Sequence, residues 1–239
     1  MTDSCEKAGC AAVVAADGWS AGGRIVEAIV LLGAPGAGKG TTAEGIVAAA
    51  RYAHLATGDM LREAVKNGTE FGKVADGFMK RGELVPDEII VKIVDARLVG
   101  GGKDARYMFD GFPRTLEQSR LLEACLKQQG GSLKHVFFLE APRDLLISRL
   151  TGRRICRSCG RNFHVVNIPP KKAGVCDLCG GELYQRSDDQ ESTILNRLEV
   201  FRKQTESLVA HYERAGVLVK IDAAQHRDVI IAKVLELLK

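Results

Sequence analysis

Apolar runs alternate with helical patterns along the chain from about residue 25 onward. Short apolar runs typical of buried strands are found at residues 28–32, 53–56, 106–110, 135–140 and 217–222. Apolar positions with the spacing of amphipathic helices are found at residues 38–51, 60–67, 71–80, 87–99, 116–129, 143–150, 191–215 and 227–238. Glycines at 100–102 and 130–131 are typical helix ends. The alternation predicts an α/β fold with a doubly wound, five-stranded parallel sheet.

Two stretches interrupt this alternation. Residues 56–85 contain two short helical patterns where one simple crossover would suffice, and residues 152–189 form an insert dense in Gly, Pro, Asn and Asp. Because ligands bind at the carboxyl ends of parallel strands, we expect both inserts to overhang that edge of the sheet. The predicted organisation is an extension, three core segments and the two inserts, in the order 1–24, 25–55, 56–85, 86–151, 152–189 and 190–239.

The first 24 residues favour a disordered tail or a stretch that is absent from the mature chain. Asp3 and Glu6 stand where a secretory signal peptide carries positive charge, and the apolar run at 10–16 is short. No apolar run approaches the ~20 residues of a membrane span. The net charge of +4 permits nucleotide or nucleic-acid partners without requiring either. We therefore expect a soluble, cytoplasmic protein.

A glycine-rich motif directly follows the first predicted strand. Residues 33–41 read GAPGAGKGT and match G-x-x-x-x-G-K through Gly33, Gly38 and Lys39. Glycines let the backbone wrap a phosphate chain, and amides at the start of a helix attract anions. Gly40 occupies the usual Ser/Thr position, and the hydroxyl comes one residue later, at Thr41. The motif indicates a P-loop that binds a nucleoside triphosphate.

Four of the seven cysteines form two C-x-x-C pairs within the second insert. Cys156 and Cys159 are separated by sixteen residues from Cys176 and Cys179, which fits a four-thiolate zinc template. Four protein ligands leave no open coordination position, so we expect a structural Zn²⁺ that stabilises an insert too small to have a core of its own. Fe²⁺ or Co²⁺ at the same thiolates, or a disulfide or redox pair, are the alternatives.

Further motifs follow the P-loop in order: TGDMLR at 57–62, DGFPRT at 110–115, GRR at 152–154, RSDDQ at 186–190 and NRL at 196–198. With these motifs the chain resembles the adenylate kinase family from about residue 27 to its end. The cysteine pairs resemble the zinc-bearing lid of the long bacterial-type members. The resemblance implies reversible transfer of a phosphoryl group from MgATP to AMP, giving two ADP. Residues 56–85 would be the AMP-binding segment and residues 152–189 a lid over ATP.

The resemblance also implies the site residues. Those expected to hold AMP are Thr57, Arg62, Glu83, Leu84, Val85, Gly111, Phe112, Pro113, Arg114, Gln118, Arg186 and Arg197. Those expected to contact ATP are Gly36, Ala37, Gly38, Lys39, Gly40, Thr41, Arg149, Arg153, Asn162, Phe163 and Gln225. Those expected to act in catalysis are Lys39, Arg114, Arg149, Arg153, Arg186, Arg197 and Asp110. Residues 222–225 read DAAQ, so Gln225 departs from the pattern that is common in the family.

These residue types suit phosphoryl transfer, which needs in-line positioning, neutralisation of charge and exclusion of water. Arginine forks bind phosphate oxygens bidentately and stay charged. Mg²⁺ prefers oxygen ligands and keeps several waters, so Thr41 and Asp110 are its candidate ligands, with Asp110 acting through water. Asp188 and Asp189 are expected to bond lid arginines on closure.

Two alternative functions remain. One is a kinase for another nucleoside monophosphate, although Thr57 and Gln118 suit adenine. The other is a P-loop protein whose zinc ribbon binds nucleic acid. Residues 152–189 contain only Phe163 and Tyr184 as aromatic side chains for stacking, together with several acids. We therefore expect no nucleic-acid partner, no membrane partner and a monomer.

Overall fold

A computed structural model of the protein describes residues 25–98 and 105–239. The predicted tail at 1–24, the end of the fourth predicted helix at Val99 and the glycines at 100–102 lie outside these ranges. The strands are β1 (Ile25–Gly33), β2 (Ala53–Ala56), β3 (Ala105–Asp110), β4 (Ser132–Glu140), β5 (Arg153–Cys156), β6 (Asn162–His164), β7 (Leu183–Tyr184) and β8 (Leu218–Asp222). The helices are α1 (Lys39–Ala49), α2 (Thr57–Lys66), α3 (Glu70–Arg81), α4 (Asp87–Leu98), α5 (Leu116–Gln128), α6 (Arg143–Thr151), α7 (Glu191–Val200), α8 (Ser207–Arg214) and α9 (Arg227–Leu237).

The main sheet has five parallel strands in the order β2-β3-β1-β4-β8, which confirms the predicted α/β architecture. Strand β1 is central, and its residues 28–32 are at most 3% exposed. Helices cover both faces, which explains why β1 reads as one continuous apolar run rather than an alternating pattern.

Successive residues of β1 face the two halves of the core. Ala28, Val30 and Leu32 pack in a cluster that includes Phe109 and Tyr212. Ile29 and Leu31 belong to the opposite cluster, which α1 and α9 cover. Alternate residues of β1 are therefore buried on opposite faces of the sheet. Polar side chains of the core strands are found at the strand ends instead.

The second insert contains a small antiparallel sheet in the order β6-β5-β7. Its buried side chains form a separate cluster of Cys156, Phe163, Cys176 and Leu183. An apolar cluster of this size cannot stabilise a fold by itself, so the insert needs a further source of stability.

The helix predicted over 191–215 is interrupted. Helix α7 ends at Val200, a π-helical turn spans Phe201–Thr205, and α8 begins at Ser207. In this turn the Glu206 amide donates to the Phe201 carbonyl, five residues earlier. One extra residue rotates the following helical face by about 100°. Helix α8 then buries Leu208 and Tyr212 in the core, while Phe201 and Thr205 line the cavity described below. Among the described residues, no helix combines the length and apolar character that a bilayer crossing requires.

Candidate active site

The P-loop lies between the end of β1 at Gly33 and the start of α1 at Lys39. Gly36 and Gly38 have φ angles of 85° and 95°, which side-chain-bearing residues rarely adopt. A Cβ at Gly36 would also lie 2.8 Å from the Leu146 carbonyl oxygen. The turn therefore requires glycine at these positions, and residues 36–41 line a cavity at the start of α1, where helix amides favour anions.

Lys39 points back onto its own loop. Its Nζ donates to the carbonyl oxygens of Gly33, at 2.7 Å, and Ala34, at 3.0 Å. Burial lowers the pKa of Lys39 to about 8, against the opposing effect of nearby Asp110. A buried ammonium held by two neutral carbonyls is poised to exchange them for an anion, because a phosphate oxygen restores the stabilisation that water would supply.

One cavity of about 730 Å³ extends from the P-loop beneath both inserts. It is lined by residues of α2, of the segment 82–85, of the turn 110–114 and of the second insert at 162–168. Both inserts therefore lie over the carboxyl ends of the strands, as expected from the parallel sheet. Eight lysine and arginine side chains line this cavity. Arg227 is exposed, and the other seven are Lys39, Arg62, Arg114, Arg149, Arg153, Arg186 and Arg197.

The buried arginines lack enough acidic partners to balance them. Burial, reinforced by repulsion from Arg197, lowers the pKa of Arg114 to about 10. Burial and Arg62 likewise lower the pKa of Arg186 to about 10, and its buried Nε has no hydrogen-bond partner among the described residues. Burial also lowers the pKa of Arg149. Such a surplus of buried positive charge favours a polyanion in the cavity.

Asp188 and Asp189 hold two of these arginines, of which Arg153 lies in the second insert and Arg197 lies in α7. The fully buried Asp189 accepts from Arg153 Nε at 2.7 Å and from its Nη2 at 2.5 Å. Arg197 Nη1 lies 3.1 Å from Asp189 Oδ1 and 3.2 Å from Asp188 Oδ2. Burial alone would raise the pKa of Asp188, but Arg197 and the surrounding arginines lower it. Asp189 thus orients the guanidinium groups of both Arg153 and Arg197, and Asp188 adds a second contact to Arg197.

Asp110 ends β3 beside the P-loop. Its carboxylate lies 3.8 Å from the position that a Cβ on Gly40 would occupy, and Thr41 lines the same cavity. A carboxylate and a hydroxyl at the phosphate loop form a donor set of the hard oxygen type that suits Mg²⁺. His54 Nε2 lies 3.5 Å from Asp110 Oδ2. Sequence reasoning missed His54, although the parallel pairing of β2 with β3 brings it to the same edge.

A different set of contacts lies around Gln118. Thr57 Oγ1 donates to the Gly111 carbonyl at 2.8 Å, and the side chain of Gln118 bonds both the Arg114 amide and Asp87. Leu84 and Val85 line the cavity here and continue into a recess of about 310 Å³. This end of the cavity combines apolar walls with a fixed amide, which suits a planar heterocycle.

Most of the remaining predicted residues line the cavity, but one has another location. The ring of Phe112 packs against Phe109 at 5.8 Å between centroids and is 2% exposed, so it belongs to the core. Asn162 lines the cavity and donates to Glu44 of α1, which joins the second insert to the core. Glu83 lines the cavity while its carboxylate accepts from Arg81. Gln225 lines it as well, with its amide near Asp222.

The four cysteines of the two C-x-x-C pairs converge at one point. Their Sγ atoms lie within 4.8 Å of one another, with Cys156 and Cys179 at 3.4 Å and Cys159 and Cys176 at 3.6 Å. These separations are far beyond the ~2.05 Å of a disulfide, so the pairs are not cross-linked. Hydrogen bonding from the Cys159 amide lowers the pKa of the Cys156 thiol to about 6. The cluster could therefore hold a metal ion through thiolates.

Comparison with known proteins identifies the family. A family model for adenylate kinase matches residues 31–217. The chain is 50% identical over 210 residues to the adenylate kinase of Bacillus licheniformis, covering 88% of this chain and 97% of that relative. It is 50% identical over 191 residues to the adenylate kinase of Caldicellulosiruptor saccharolyticus, covering 80% and 89%, respectively. With the adenylate kinase of Desulforamulus reducens it shares 43% identity over 211 residues, covering 88% and 99%. The P-loop, the arginine-lined cavity and these matches together establish that the chain belongs to the adenylate kinase family.

Proposed function

We propose that the protein catalyses the reversible transfer of the γ-phosphoryl group of MgATP to AMP, which yields two ADP. The observation that carries the proposal is the convergence of Lys39 and six buried or half-buried arginines on one cavity that the P-loop and the fixed amide of Gln118 also line. Two nucleotides that meet through their phosphates would bring most of their negative charge to the middle of such a cavity.

ATP would lie along the P-loop, with its phosphates on the amides of 36–41 and on Lys39. Five further residues line the same cavity and would contact ATP: Arg149, Arg153, Asn162, Phe163 and Gln225. AMP would lie at the other end, with its base near Gln118 and Val85 and its phosphate near Arg62 and Arg114. Arg186 and Arg197 would contact the phosphates of both nucleotides.

The chemistry asked of these side chains is electrostatic. Guanidinium groups and the Lys39 ammonium would neutralise the charge on the transferred group and hold the attacking phosphate of AMP in line with it. Because Asp189 already orients Arg153 and Arg197, little reorganisation would be needed when the reaction occurs. The second insert would exclude water, so that ATP is not hydrolysed in the absence of AMP.

Two metal ions fit the residues that are present. Mg²⁺ would be held by the nucleotide phosphates, with Thr41 and a water-mediated contact to Asp110, and would add a Lewis-acid charge at the phosphates when bound. Zn²⁺ would be held by Cys156, Cys159, Cys176 and Cys179, where four thiolates leave no position for a substrate. The zinc would therefore stabilise the insert rather than take part in the transfer.

The decisive experiment is an assay of ADP formation from ATP plus AMP with magnesium, together with metal analysis of the same sample. Lys39→Met is expected to lower kcat on the order of 10²–10³-fold. Lys220→Met removes an exposed lysine that is paired with Glu213 and should leave kcat unchanged. Absence of AMP-dependent ADP formation by the wild-type protein would overturn the proposal.

An acceptor screen over AMP, GMP, CMP and UMP would test the alternative of another nucleoside monophosphate kinase. We expect AMP to be strongly preferred. One chain contributes every side chain assigned above, so we expect a monomer to suffice without a nucleic-acid partner. Measurement of the molar mass in solution and a gel-shift assay in moderate salt would test these two points.

A further inference from the structure

The side-chain amide of Gln118 is held between two groups of opposite and fixed hydrogen-bonding character. Its Oε1 lies 2.7 Å from the backbone amide of Arg114, and its Nε2 lies 2.7 Å from Asp87 Oδ1. A backbone N–H can only donate, and a carboxylate can only accept. The usual ambiguity between the oxygen and nitrogen of a glutamine is therefore removed at this position.

Thr115 completes the arrangement. Its Oγ1 accepts from the Gln118 backbone amide at 3.1 Å and donates to Asp87 Oδ2 at 2.8 Å. Because the backbone amide must donate, the hydroxyl proton is directed to the carboxylate. Both oxygens of Asp87 thus accept hydrogen bonds, one from the Gln118 amide and one from the Thr115 hydroxyl. Gln118 itself is 1% exposed, so a reversed amide would leave unpaired polar atoms without water.

One N–H and one lone pair of the Gln118 amide remain for a ligand in the cavity that this residue lines. Adenine presents an acceptor, N1, beside a donor, the 6-amino group, and matches this order. Guanine and hypoxanthine present N1–H beside O6, which is the reverse order. We propose that Asp87 is a positioning residue that fixes the Gln118 amide in the adenine-reading orientation and thereby rejects 6-oxopurines. This inference rests on the proposed function, because it assumes that the acceptor base lies against Gln118.

The wild-type protein provides the first test. AMP, purine riboside 5′-monophosphate and IMP differ only at position 6 and at the N1 proton. Purine riboside monophosphate lacks one hydrogen bond, whereas IMP places donor against donor and acceptor against acceptor. We expect kcat/KM to fall in the order AMP, purine riboside monophosphate, IMP. If IMP is used as well as purine riboside monophosphate, the fixed amide orientation is wrong.

Asp87→Asn provides the second test, because it brings the free energies of the two orientations of the Gln118 amide close together. If Gln118 keeps its native orientation, the nitrogen of the introduced asparagine faces the Thr115 hydroxyl, whose proton then loses its acceptor. In the reversed orientation, the Arg114 backbone amide loses its acceptor. We expect the ratio of kcat/KM for GMP to that for AMP to rise on the order of 10- to 100-fold, which corresponds to the loss of a charge-assisted hydrogen bond. The KM for ATP should not change.

Thr115→Ala is the matched control. It removes the hydroxyl that caps α5 and should lower the unfolding temperature. It keeps the contacts of Gln118 with Asp87 and with the Arg114 amide, so the GMP-to-AMP ratio should stay at the wild-type value. If Asp87 only stabilises the fold, Asp87→Asn and Thr115→Ala should instead show the same GMP-to-AMP ratio of kcat/KM.

The outcomes separate the two proposals. If the wild-type protein forms ADP from AMP but Asp87→Asn keeps the wild-type ratio, the role of Asp87 is refuted and the proposed function stands. If the wild-type protein forms no ADP from AMP, the proposed function itself fails. If Asp87→Asn does not fold, the analogue series on the wild-type protein decides the orientation of the amide.

Discussion

Arg186 Nη2 lies 3.2 Å from Asp59 Oδ1, and this ion pair joins the segment that follows the small antiparallel sheet to helix α2. The same Asp59 oxygen accepts from Arg62 Nη2 at 2.5 Å. The carboxylate thus lies between two guanidinium groups that we assign to nucleotide phosphates. In the absence of substrate it supplies negative charge that the substrates would bring.

Removal of this link should loosen the ligand-free protein. Asp59 is exposed, and exposed pairs contribute about 0.2–1 kcal/mol. For Asp59→Asn we expect the population in which the two inserts are separated to rise by up to about fivefold. Fluorophores introduced as non-natural amino acids at the exposed positions Lys73 and Lys172 would report the distance by energy transfer. With ATP and AMP bound, the variant should match the wild type.

The control for this prediction is Asp76→Asn. Asp76 pairs with Lys80 within α3, so the substitution removes a similar carboxylate without touching the contact between segments. If the distance distributions of the two variants are identical, the pair between Asp59 and Arg186 does not hold the segments together.

Gly72 is required by the close packing of α3 on α2. A Cβ at this position would overlap the Ala64 carbonyl group, and the residue is buried. Gly72→Ala is therefore expected to lower the free energy of unfolding by about 1–3 kcal/mol through overpacking. Gly77 lies on the same helix, where a Cβ would meet only Arg81 Nη1 at 3.4 Å. Gly77→Ala should raise the free energy of unfolding by about 0.5–1 kcal/mol. Urea denaturation of both variants checks the opposite signs, and equal effects would contradict the packing argument.

Removal of the metal should affect stability more than catalysis. Two of the four cysteines, Cys156 and Cys176, belong to the small cluster of buried residues in the second insert, and none of the four lines the cavity. We expect chelation of zinc to lower the unfolding temperature while kcat at 25 °C falls much less, because the insert keeps its backbone hydrogen bonds at that temperature. Calorimetry and the ADP assay on one chelator titration test this, and a parallel loss of both would assign the metal a closer role.

Two cysteine variants make that test specific. Cys159→Ser removes one ligand, so its unfolding temperature should no longer respond to chelator. Cys125→Ser alters a buried thiol in the main core, so it should lower stability but leave the response to chelator intact. A retained response in Cys159→Ser would exclude this residue as a ligand.

The pH dependence of stability should report the arginine partners of Asp188. Because the arginines lower the pKa of this carboxyl below its ordinary value of 3.8, the ionised form stabilises the fold above that pH. The contribution is lost as the pH falls through the folded-state pKa. Asp188→Asn should therefore lower the free energy of unfolding more at pH 7 than at pH 3, as measured by urea denaturation at both values. Asp76→Asn, which lies outside the arginine cluster, should have a small effect at both. A constant cost for Asp188→Asn would contradict the linkage.

Sequence reasoning recovers the features whose chemistry is local. The sequence predicts the P-loop because its glycines and Lys39 must be close together along the chain to build one turn. The spacing of the cysteines likewise predicts two turns that could hold one metal ion. The apolar runs predict the five strands within a few residues of their bounds, because burial on both faces produces such runs. The sequence does not predict the extra residue in the π-helical turn at Phe201–Thr205, because the apolar spacing there fits a regular α-helix.

Contacts between residues that are far apart along the chain cannot be predicted from the sequence in this way. Asp87 and Gln118 are 31 residues apart, and Asp59 and Arg186 are 127 residues apart. The signal for Asp87 is present as an acid at the start of a predicted helix, where the dipole of the helix explains it equally well. Phe112 stands within a predicted AMP motif, but its ring finds a larger apolar surface in the core.

The amino-acid sequence by itself determined the alternation of elements, the phosphate loop, the thiolate cluster and the family motifs, because each depends on residues near one another along the chain. Tertiary structure alone decided the strand order, the meeting of Arg62 with Arg186 and Arg197 around one cavity, and the direction in which the Gln118 amide points. The physical reason is that periodicity specifies which side chains are buried, whereas the partner of each polar group is selected by packing over long separations.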